Sequence, residues 1–260
     1  MDKEVTVNEN RRYNDTRFIN RDTISSYANT NETLLQGQIR GIILELPGLG
    51  GGSCLGGSMQ LEEYRSPQAA SYAEDGIIMA YMRPGPWSWG NCGSMRMTEA
   101  VAQALLQKYD LAADTPVVVC GGSMGGLGAL NFAAHTGLSL RGVAAACPCV
   151  DVFGSFDKHP EFPCTLISAA ACYDMPLEEA LKRFSPVENV DRMPKVPYFI
   201  CSDGDDTLCP EEQCDQYVET LKSRGHSVIY HRQPGLEHGG FFPEVYEALF
   251  AFMRACILQG

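Results

Sequence analysis

The residues best suited to chemistry in this sequence are a serine flanked by glycines and, far downstream, a group of aspartates and a histidine. Gly121, Ser123 and Gly125 form a Gly-x-Ser-x-Gly motif directly after the apolar, largely β-branched run 116–120. Such a run is typical of a strand covered on both faces, and the apolar pattern after the motif predicts a helix. A tight turn between them pushes the serine hydroxyl out above the sheet. The glycines are needed because a Cβ at either flank would collide in so sharp a turn.

Two kinds of phosphate-binding loop share such a glycine-rich turn, and neither pattern is present. A Walker loop requires Gly-Lys-Ser or Gly-Lys-Thr, which is absent, and the dinucleotide pattern Gly-x-Gly-x-x-Gly fails because Ser123 occupies its third position. The remaining alternative is an incidental serine in a strand-to-helix turn. A nucleophilic role therefore requires a base and an acid elsewhere in the chain.

Two loops downstream carry residues of the required types. One loop, 202–210, follows a predicted strand and contains three aspartates, and a second loop, 233–240, follows the next strand and contains His238. In an open parallel sheet the functional loops leave the carboxyl ends of the strands, so these loops and the serine meet at one edge. The chain order Ser, Asp, His fits a mechanism in which Ser123 attacks an acyl carbon, His238 transfers the proton, and an aspartate orients the imidazole.

The residues themselves leave the choice of aspartate open. Asp203, Asp205 and Asp206 compete, and the adjacent pair cannot both point at one imidazole, so one of the two is a turn or capping residue. The other four histidines are expected to be structural, exposed or pocket-lining: His135, His159, His226 and His231.

The elements that position these groups alternate between strand and helix. Strands are predicted over 41–46, 76–82, 116–120, 142–147, 196–201 and 228–231, and helices over 94–109, 177–184, 211–223 and 242–258. This alternation predicts right-handed βαβ units and an α/β fold, with a mostly parallel central sheet and helices on both faces. Residues 150–192 interrupt it with several phenylalanines, and we expect them to form a small cap over the carboxyl edge of the sheet. The polar residues 1–38 predict an edge hairpin or a loose arm.

Two further loops follow the first strands. The glycine-rich loop 47–53 lets backbone N–H groups approach a ligand, as an oxyanion hole requires, and a flexible turn is the alternative. The loop 83–90 contains Trp87 and Trp89 and is stiffened by two prolines. Rings held on such a loop suit the wall of a substrate pocket, and the alternative is that they cover the core.

The combined motifs resemble the α/β-hydrolase superfamily, and within it the prolyl oligopeptidase-related hydrolases and small carboxylesterases. The likeness covers residues from about 40 to 258. It is carried by Gly121 to Gly126, by Phe184-Ser185-Pro186 before Pro197-Tyr198-Phe199-Ile200, by Asp206 to Pro210, and by Pro234 to Gly239.

The resemblance implies roles for individual residues. In the family the acid lies four residues before the proline of its loop, which here implies Asp206. Pro47 to Gly50 resembles the family's His-Gly-x-Gly loop with proline in the histidine place, and this implies that the amides of Leu49 and Met124 form the oxyanion hole. The segment 83–88 resembles Arg-Gly-x-Gly-x-Ser with prolines in place of glycines.

Composition limits the other functions to be considered. With 260 residues we expect one domain, 1–260, that includes the cap at about 150–192. The net charge of −12 argues against sequence-independent binding of nucleic acid or of an anionic membrane. No apolar run approaches the ~18 residues of a membrane span, and no secretory leader opens the chain. We therefore expect a cytoplasmic protein with reduced thiols.

The eleven cysteines do not predict a metal centre. Cys147-Pro148-Cys149 is too tight for the usual gap between zinc ligands, and no second pair faces it. We expect no metal and no cofactor.

The leading hypothesis is a serine hydrolase that cleaves carboxylic esters of small or aromatic acyl groups through an acyl-enzyme on Ser123. A serine peptidase is the alternative, because the resemblance includes oligopeptidases. Those enzymes generally carry a propeller or long extra domain before the hydrolase fold, whereas fewer than about 40 residues precede the first core strand here. A non-catalytic binding protein is less expected because all three residue types of the triad are present. Transacylases and carbon–carbon lyases can keep the same triad.

Overall fold

The structure, a computed structural model, describes residues 16–50 and 66–259. In this part of the chain the strands are β1 (Ala28–Thr30), β2 (Gly41–Leu46), β3 (Ile77–Met82), β4 (Val117–Gly122), β5 (Leu140–Ala146), β6 (Tyr198–Asp203) and β7 (Val228–Gln233). The α-helices are α1 (Pro67–Glu74), α2 (Cys92–Lys108), α3 (Met124–His135), α4 (Val152–Ser155), α5 (Phe162–Ala170), α6 (Leu177–Arg183), α7 (Glu211–Ser223) and α8 (Pro243–Leu258). Short 3-10 helices lie at Thr16–Phe18, Ile24–Ser26, Glu32–Leu34 and Pro186–Arg192.

The strands form one sheet in the order β1-β3-β2-β4-β5-β6-β7. Only β1 is antiparallel to its neighbour, and the other pairings are parallel, which confirms the predicted mostly parallel sheet. The register aligns the carboxyl ends of three central strands, because Gly121 lies opposite Leu46 on one side and Ala145 on the other. Loops that leave these strand ends therefore emerge side by side.

Alternating side chains divide the core between the two faces of the sheet. On β2, Ile42 and Leu44 face a cluster that includes side chains of α2, α3 and α7, whereas Ile43 faces a cluster with α1 and α8. This alternation follows from the two-residue repeat of a strand, and it requires apolar residues at every position when helices cover both faces. The continuous apolar runs in the sequence are thereby explained.

The segment 150–192 folds into α4, α5, α6 and a 3-10 helix. A third apolar cluster joins it to the first turn of α3, with Phe162 and Phe184 packed in the same cluster as Met124. Its phenylalanines do not behave alike, since Phe162 is buried and Phe153 is 37% exposed. The segment thus lies against α3, the helix that directly follows Ser123, at the carboxyl edge of the sheet.

The amino-terminal region is tied to the sheet by β1 and by a buried asparagine. Asn31 donates through Nδ2 to the carbonyl oxygens of Ala69 (2.8 Å) and Ile77 (3.1 Å), and its Oδ1 accepts from Met79 N (2.8 Å). The edge position was predicted, but the strand pairs with β3 rather than within a hairpin of its own. The rest of that prediction, over residues 1–15, lies outside the described residues, as do Gly51 to Ser53 of the glycine-rich loop.

Among the described residues, no helix combines the length and apolar character needed to cross a membrane.

Candidate active site

Ser123 occupies a strained turn between β4 and α3. Its backbone has φ of 54° and ψ of −123°, a conformation that a non-glycine residue adopts only when its surroundings impose it. A Cβ on Gly121 would lie 2.4 Å from the carbonyl carbon and oxygen of Gly125, and a Cβ on Gly125 would lie 2.1 Å from Leu46 O. The close approach of β4, β2 and α3 therefore requires both glycines of the motif, as the sequence predicts.

His238 lies between Ser123 and Asp206 in an unbroken chain of hydrogen bonds. Its Nε2 is 2.7 Å from Ser123 Oγ, and its Nδ1 is 2.7 Å from Asp206 Oδ2. The carboxylate only accepts, so Nδ1 carries the proton and donates to Asp206. Nε2 of the neutral ring is then the acceptor for the serine hydroxyl. This is the tautomer that a general base for Ser123 requires.

The Asp206 carboxylate is fixed by its own loop as well as by His238. Its Oδ1 accepts from the backbone N–H groups of Leu208 (2.9 Å) and Cys209 (2.8 Å). The Asp206 side chain has no exposed surface, while that of His238 is 22% exposed. One carboxylate oxygen of Asp206 thus accepts from the main chain and the other from the imidazole. The neighbouring Asp205 is an exposed residue.

Asp203 is buried and connects the aspartate loop to the histidine loop. Its Oδ1 accepts from Asp205 N (2.9 Å), and its Oδ2 accepts from Gln233 Nε2 (2.9 Å) and Leu236 N (3.0 Å). Burial alone would raise the pKa of Asp203, but hydrogen bonds from Gln233 and from the backbone outweigh it and hold that pKa below its ordinary value. The carboxylate stays ionised and keeps its donors.

Gln233 extends this connection to the far end of the histidine loop. Its Nε2 also donates to Gly240 O (3.1 Å), and its Oε1 accepts from Phe242 N (2.9 Å). The pair Asp203 and Gln233 therefore holds both ends of the loop that carries His238. The sequence did not predict this role, because it depends on the strand register that places the two residues opposite each other at the ends of adjacent parallel strands.

The backbone N–H groups of Met124, the first residue of α3, and of Leu49, in the loop after β2, have no acceptor among the described residues, and the same holds for Gly48. Gly50 N is already used, because it donates to Pro86 O (2.9 Å). Gly48 approaches the serine so closely that a Cβ there would lie 3.9 Å from Ser123 Cβ. The predicted pair, Leu49 and Met124, thus remains available for an oxyanion.

A cavity of about 580 Å³ contains Ser123 and His238 in its wall. Its lining is mostly apolar and combines the sheet, the start of α8 and the segment 150–192: Met79, Ala144, His159, Phe162, Phe241, Tyr246, Leu249, Phe250 and Met253. Residues of the predicted cap therefore take part in the wall through His159 and Phe162. A cavity of this character favours an apolar group next to the serine.

The two tryptophans require a correction, because neither is among the described residues that line this cavity. Trp89 is 1% exposed, its Nε1 donates to Thr165 Oγ1 (3.1 Å), and its ring meets that of Phe162 edge-on at 5.0 Å. Trp87 is 50% exposed. The predicted wall of Trp87 and Trp89 is therefore not the wall of this cavity. The aromatic rings that line it are those of Phe162, Phe241, Tyr246 and Phe250.

One group of potential metal ligands occurs among the described residues. Ligand atoms of Cys147, Asp206 and His238 lie within 4.8 Å of one another. Asp206 and His238 are already bonded to each other, and burial raises the pKa of the Cys147 thiol to about 12. Binding of a zinc ion would require the Cys147 thiolate and would break the hydrogen bond between Asp206 and His238.

The sequence profile of the prolyl oligopeptidase family matches residues 94–259, which is more than half of the chain and includes the Gly-x-Ser-x-Gly turn, the aspartate loop 202–210 and the histidine loop 233–240. The chain belongs to the prolyl oligopeptidase family. The predicted membership of this group of serine hydrolases is thereby confirmed. No curated protein matches the chain.

Solved structures of similar fold include peptidases and an esterase. Puromycin hydrolase aligns with 21% identity and a TM-score of 0.66, over 84% of this chain and 34% of that one. Pyrococcus horikoshii acylaminoacyl peptidase aligns with 15% identity and a TM-score of 0.68, over 86% and 38%. Esterase B from Lactobacillus rhamnosis aligns with 14% identity and a TM-score of 0.62, over 85% and 78%.

These likenesses establish the α/β-hydrolase fold, as predicted. The chain spans only about a third of the length of the puromycin hydrolase and of the acylaminoacyl peptidase.

Proposed function

We propose that this protein hydrolyses carboxylic esters through an acyl-enzyme on Ser123. The observation that carries the proposal is the hydrogen-bonded chain from Ser123 Oγ through His238 to the buried Asp206, open to an apolar cavity. Ser123 and Asp206 are each within hydrogen-bond distance of the His238 imidazole that lies between them. This is the arrangement that acyl transfer to a serine requires.

In the first half-reaction, Ser123 Oγ attacks the carbonyl carbon of the ester while Nε2 of His238 takes the hydroxyl proton. The carbonyl oxygen becomes negative and accepts hydrogen bonds from the N–H groups of Leu49 and Met124. Asp206 stabilises the imidazolium that forms. The tetrahedral intermediate then collapses, the bond to the alcohol oxygen breaks, and the imidazolium returns its proton to the leaving alcohol.

In the second half-reaction, water replaces the alcohol. His238 takes a proton from the water as its oxygen attacks the acyl carbon, and the same two amides hold the oxyanion. Collapse releases the carboxylic acid and returns the proton to Ser123 Oγ, which restores the free enzyme. Every step uses groups of the chain and water, with no cofactor.

The substrate class is inferred from the cavity. Its apolar wall, which includes aromatic rings such as those of Phe162 and Phe250, suits the acyl part of a small ester. Cleavage of peptide or aminoacyl amide bonds is the second candidate. It is favoured by the family match and by the acylaminoacyl peptidase among the similar structures. The same triad serves both, and the leaving group distinguishes them.

The test compares the protein with its Ser123→Ala variant on nitrophenyl esters of increasing acyl length and on aminoacyl nitroanilides. We expect kcat/KM for the preferred ester to exceed that for any anilide, and the variant to lose ~10⁴-fold or more in kcat. A burst of nitrophenol equal to the amount of enzyme would report the acyl-enzyme. Circular dichroism of both proteins controls for folding.

Two results would contradict the proposal. Activity of Ser123→Ala within tenfold of the wild type would exclude Ser123 as the nucleophile. Faster turnover of the anilides than of all esters would support peptidase activity and contradict the proposed esterase activity.

A further inference from the structure

Two cysteines meet where α2 begins and α5 has just ended. Cys92 is the first residue of α2, Cys172 follows α5, and their Sγ atoms are 3.2 Å apart although 80 residues separate them in sequence. Both residues are partly exposed. Neither takes part in the proposed mechanism, so their proximity requires a separate explanation.

The two sulfurs lie where the start of α2 contacts the end of α5, and hydrogen bonds of neighbouring residues also hold this contact. Asn91 Nδ2 donates to Ala169 O (3.0 Å), and Cys92 N donates to the Tyr173 hydroxyl (2.9 Å). Trp89 adds a third bond to α5 through Thr165. A disulfide needs its sulfurs at about 2.05 Å, so a small displacement within this fixed contact would suffice.

Cys92 also has the environment of a reactive thiol. It lies at the amino end of a 17-residue helix, where the unpaired N–H groups favour a negative charge. The hydrogen bond with Cys172 and the charge of Arg96 outweigh burial and lower the pKa of Cys92 below its ordinary value. The thiolate is the form that attacks a disulfide, and Cys172 is in place to complete the exchange.

We propose that Cys92 and Cys172 form a redox modification site, a dithiol that a low-molecular-weight disulfide such as glutathione disulfide converts into an intrachain disulfide. The Cys92 thiolate attacks one sulfur of glutathione disulfide, whose S–S bond breaks, and one glutathione thiolate leaves. The Cys172 sulfur then attacks Cys92 Sγ and displaces the second glutathione. The two cysteines are oxidised, the reagent is reduced to two thiols, and the two cysteine protons end on those thiols.

The bond would fasten the segment 150–192 to the body of the protein. Helix α5 begins with Phe162, which lines the cavity beside Ser123, and its other end would be joined covalently to α2. The inference concerns this contact alone and stands whether the substrate is an ester or a peptide.

A second pair of cysteines provides an internal comparison. Cys149 and Cys209 also interact with each other, but both are 1% exposed. The hydrogen bond with Cys149 and burial raise the pKa of Cys209, and both sulfurs lie in buried residues that the reagent does not reach. In the folded protein this pair is expected to stay reduced.

The first experiment maps the bond. The full chain is incubated with glutathione disulfide, the remaining thiols are alkylated, and tryptic peptides are analysed by mass spectrometry without reduction. Because Cys164 and Cys172 lie on one tryptic peptide, 159–182, the Cys164→Ser variant is analysed in parallel. We expect the peptide of Cys92 to be linked to that of Cys172 in both proteins.

The Cys172→Ser variant separates the two steps. Without the resolving sulfur, a glutathione adduct is expected to accumulate on Cys92. If the link vanishes in Cys164→Ser, the proposal is wrong, since the bond then belongs to Cys164. Glutathione on Cys164 with Cys92 and Cys172 both left as free thiols would overturn it as well, because that result shows that the reagent was active.

The second experiment tests whether the bond fits the native contact. A disulfide that closes a loop of this length without strain is expected to raise Tm by about 5 °C or more. Tm of the oxidised and reduced wild type is compared, with Cys92→Ser as the control that should show no difference. A lower Tm after oxidation would contradict the inference, since the bond would then distort the fold.

Discussion

The carboxyl groups of Asp205 and Asp206 are adjacent in the chain but occupy different environments. Asp206 has no exposed side-chain surface, and its two oxygens accept from His238 and from backbone N–H groups. Asp205 is exposed, and its backbone N–H donates to Asp203. The two neighbours therefore offer a matched pair for testing which carboxylate orients the imidazole.

Asp206→Asn is expected to lower kcat by ~10⁴-fold, because an amide can donate to Nδ1 and so favours the tautomer that cannot accept the serine proton. Asp205→Asn should leave kcat within about threefold of the wild type. Both are measured with an activated acetyl ester at saturating substrate. If Asp205→Asn is the more damaging change, the assignment of the acid is off by one residue.

The proposed nucleophile and base could be inferred from residue types and order, but the proposed acid could not. Glycines around Ser123 and a histidine after a strand point to one edge of a parallel sheet. Three aspartates share the loop 202–210, and their side-chain directions depend on a turn that composition does not reveal. Only the resemblance to the family selected Asp206.

Trp87 and Trp89 are the same residue type but differ in burial. Trp89 is buried under α5, so Trp89→Ala should lower the free energy of unfolding by about 3–5 kcal/mol. Trp87 is half exposed, so Trp87→Ala should change it by no more than about 0.5 kcal/mol. Urea titration followed by circular dichroism measures both. Equal losses for the two variants would contradict this difference in burial.

At the scale of elements, the loop between β7 and α8 determines where the imidazole lies. Gln233 bonds Asp203 at the start of this loop and Gly240 and Phe242 at its end. These bonds connect the ends of β6 and β7 to the first residues of α8. The rigidity of the histidine loop thus depends on a side chain that touches neither Ser123 nor the cavity.

Gln233→Ala is expected to lower kcat by about 10- to 100-fold and to leave KM within about threefold, because a displacement of the base near 1 Å costs up to about 10²-fold. The matched control is Gln216→Ala, which removes an exposed glutamine from α7 and should change neither constant. Steady-state kinetics and Tm are measured for both variants. A rise in KM with unchanged kcat would indicate a substrate contact instead of positioning.

Elements and strand ends were predictable because they follow from hydrophobic periodicity, whereas side-chain contacts between elements were not. On α8, Leu249 and Met253 are buried in a core cluster and also line the cavity. Periodicity shows which face of a helix is covered and does not distinguish packed neighbours from an empty space. The bond between Asp203 and Gln233 depends on strand register, which the sequence does not specify by itself.

At the scale of the whole molecule, the cavity joins distant parts of the chain. Met79 of β3, Ala144 of β5 and Phe250 of α8 lie around one space, and the segment 150–192 adds Phe162. Ser123 and His238 line this space together with residues of α8. The volume available to an acyl group therefore depends on α8 as well as on the turn that carries Ser123.

Phe250→Ala is expected to enlarge the acyl site. The ring of Phe250 is partly buried and stacks on Tyr246 at 6.1 Å, while its backbone oxygen accepts from the Tyr72 hydroxyl and is kept by alanine. Room for two more buried methylene groups corresponds to roughly a tenfold gain, at about 0.8 kcal/mol each. The ratio of kcat/KM for octanoyl over acetyl nitrophenyl ester should rise by that factor.

Phe242→Ala serves as the control for this change, because Phe242 is 40% exposed, precedes the same helix and is not among the residues that line the cavity. It should leave the acyl ratio unchanged. If Phe250→Ala lowers both esters equally, its ring supports the fold and does not limit the acyl site. A second series of esters keeps the acetyl group and varies the alcohol. If Phe250→Ala changes the kcat/KM values of this series and leaves the acyl ratio unchanged, the cavity beside α8 receives the leaving group and the acyl chain lies elsewhere.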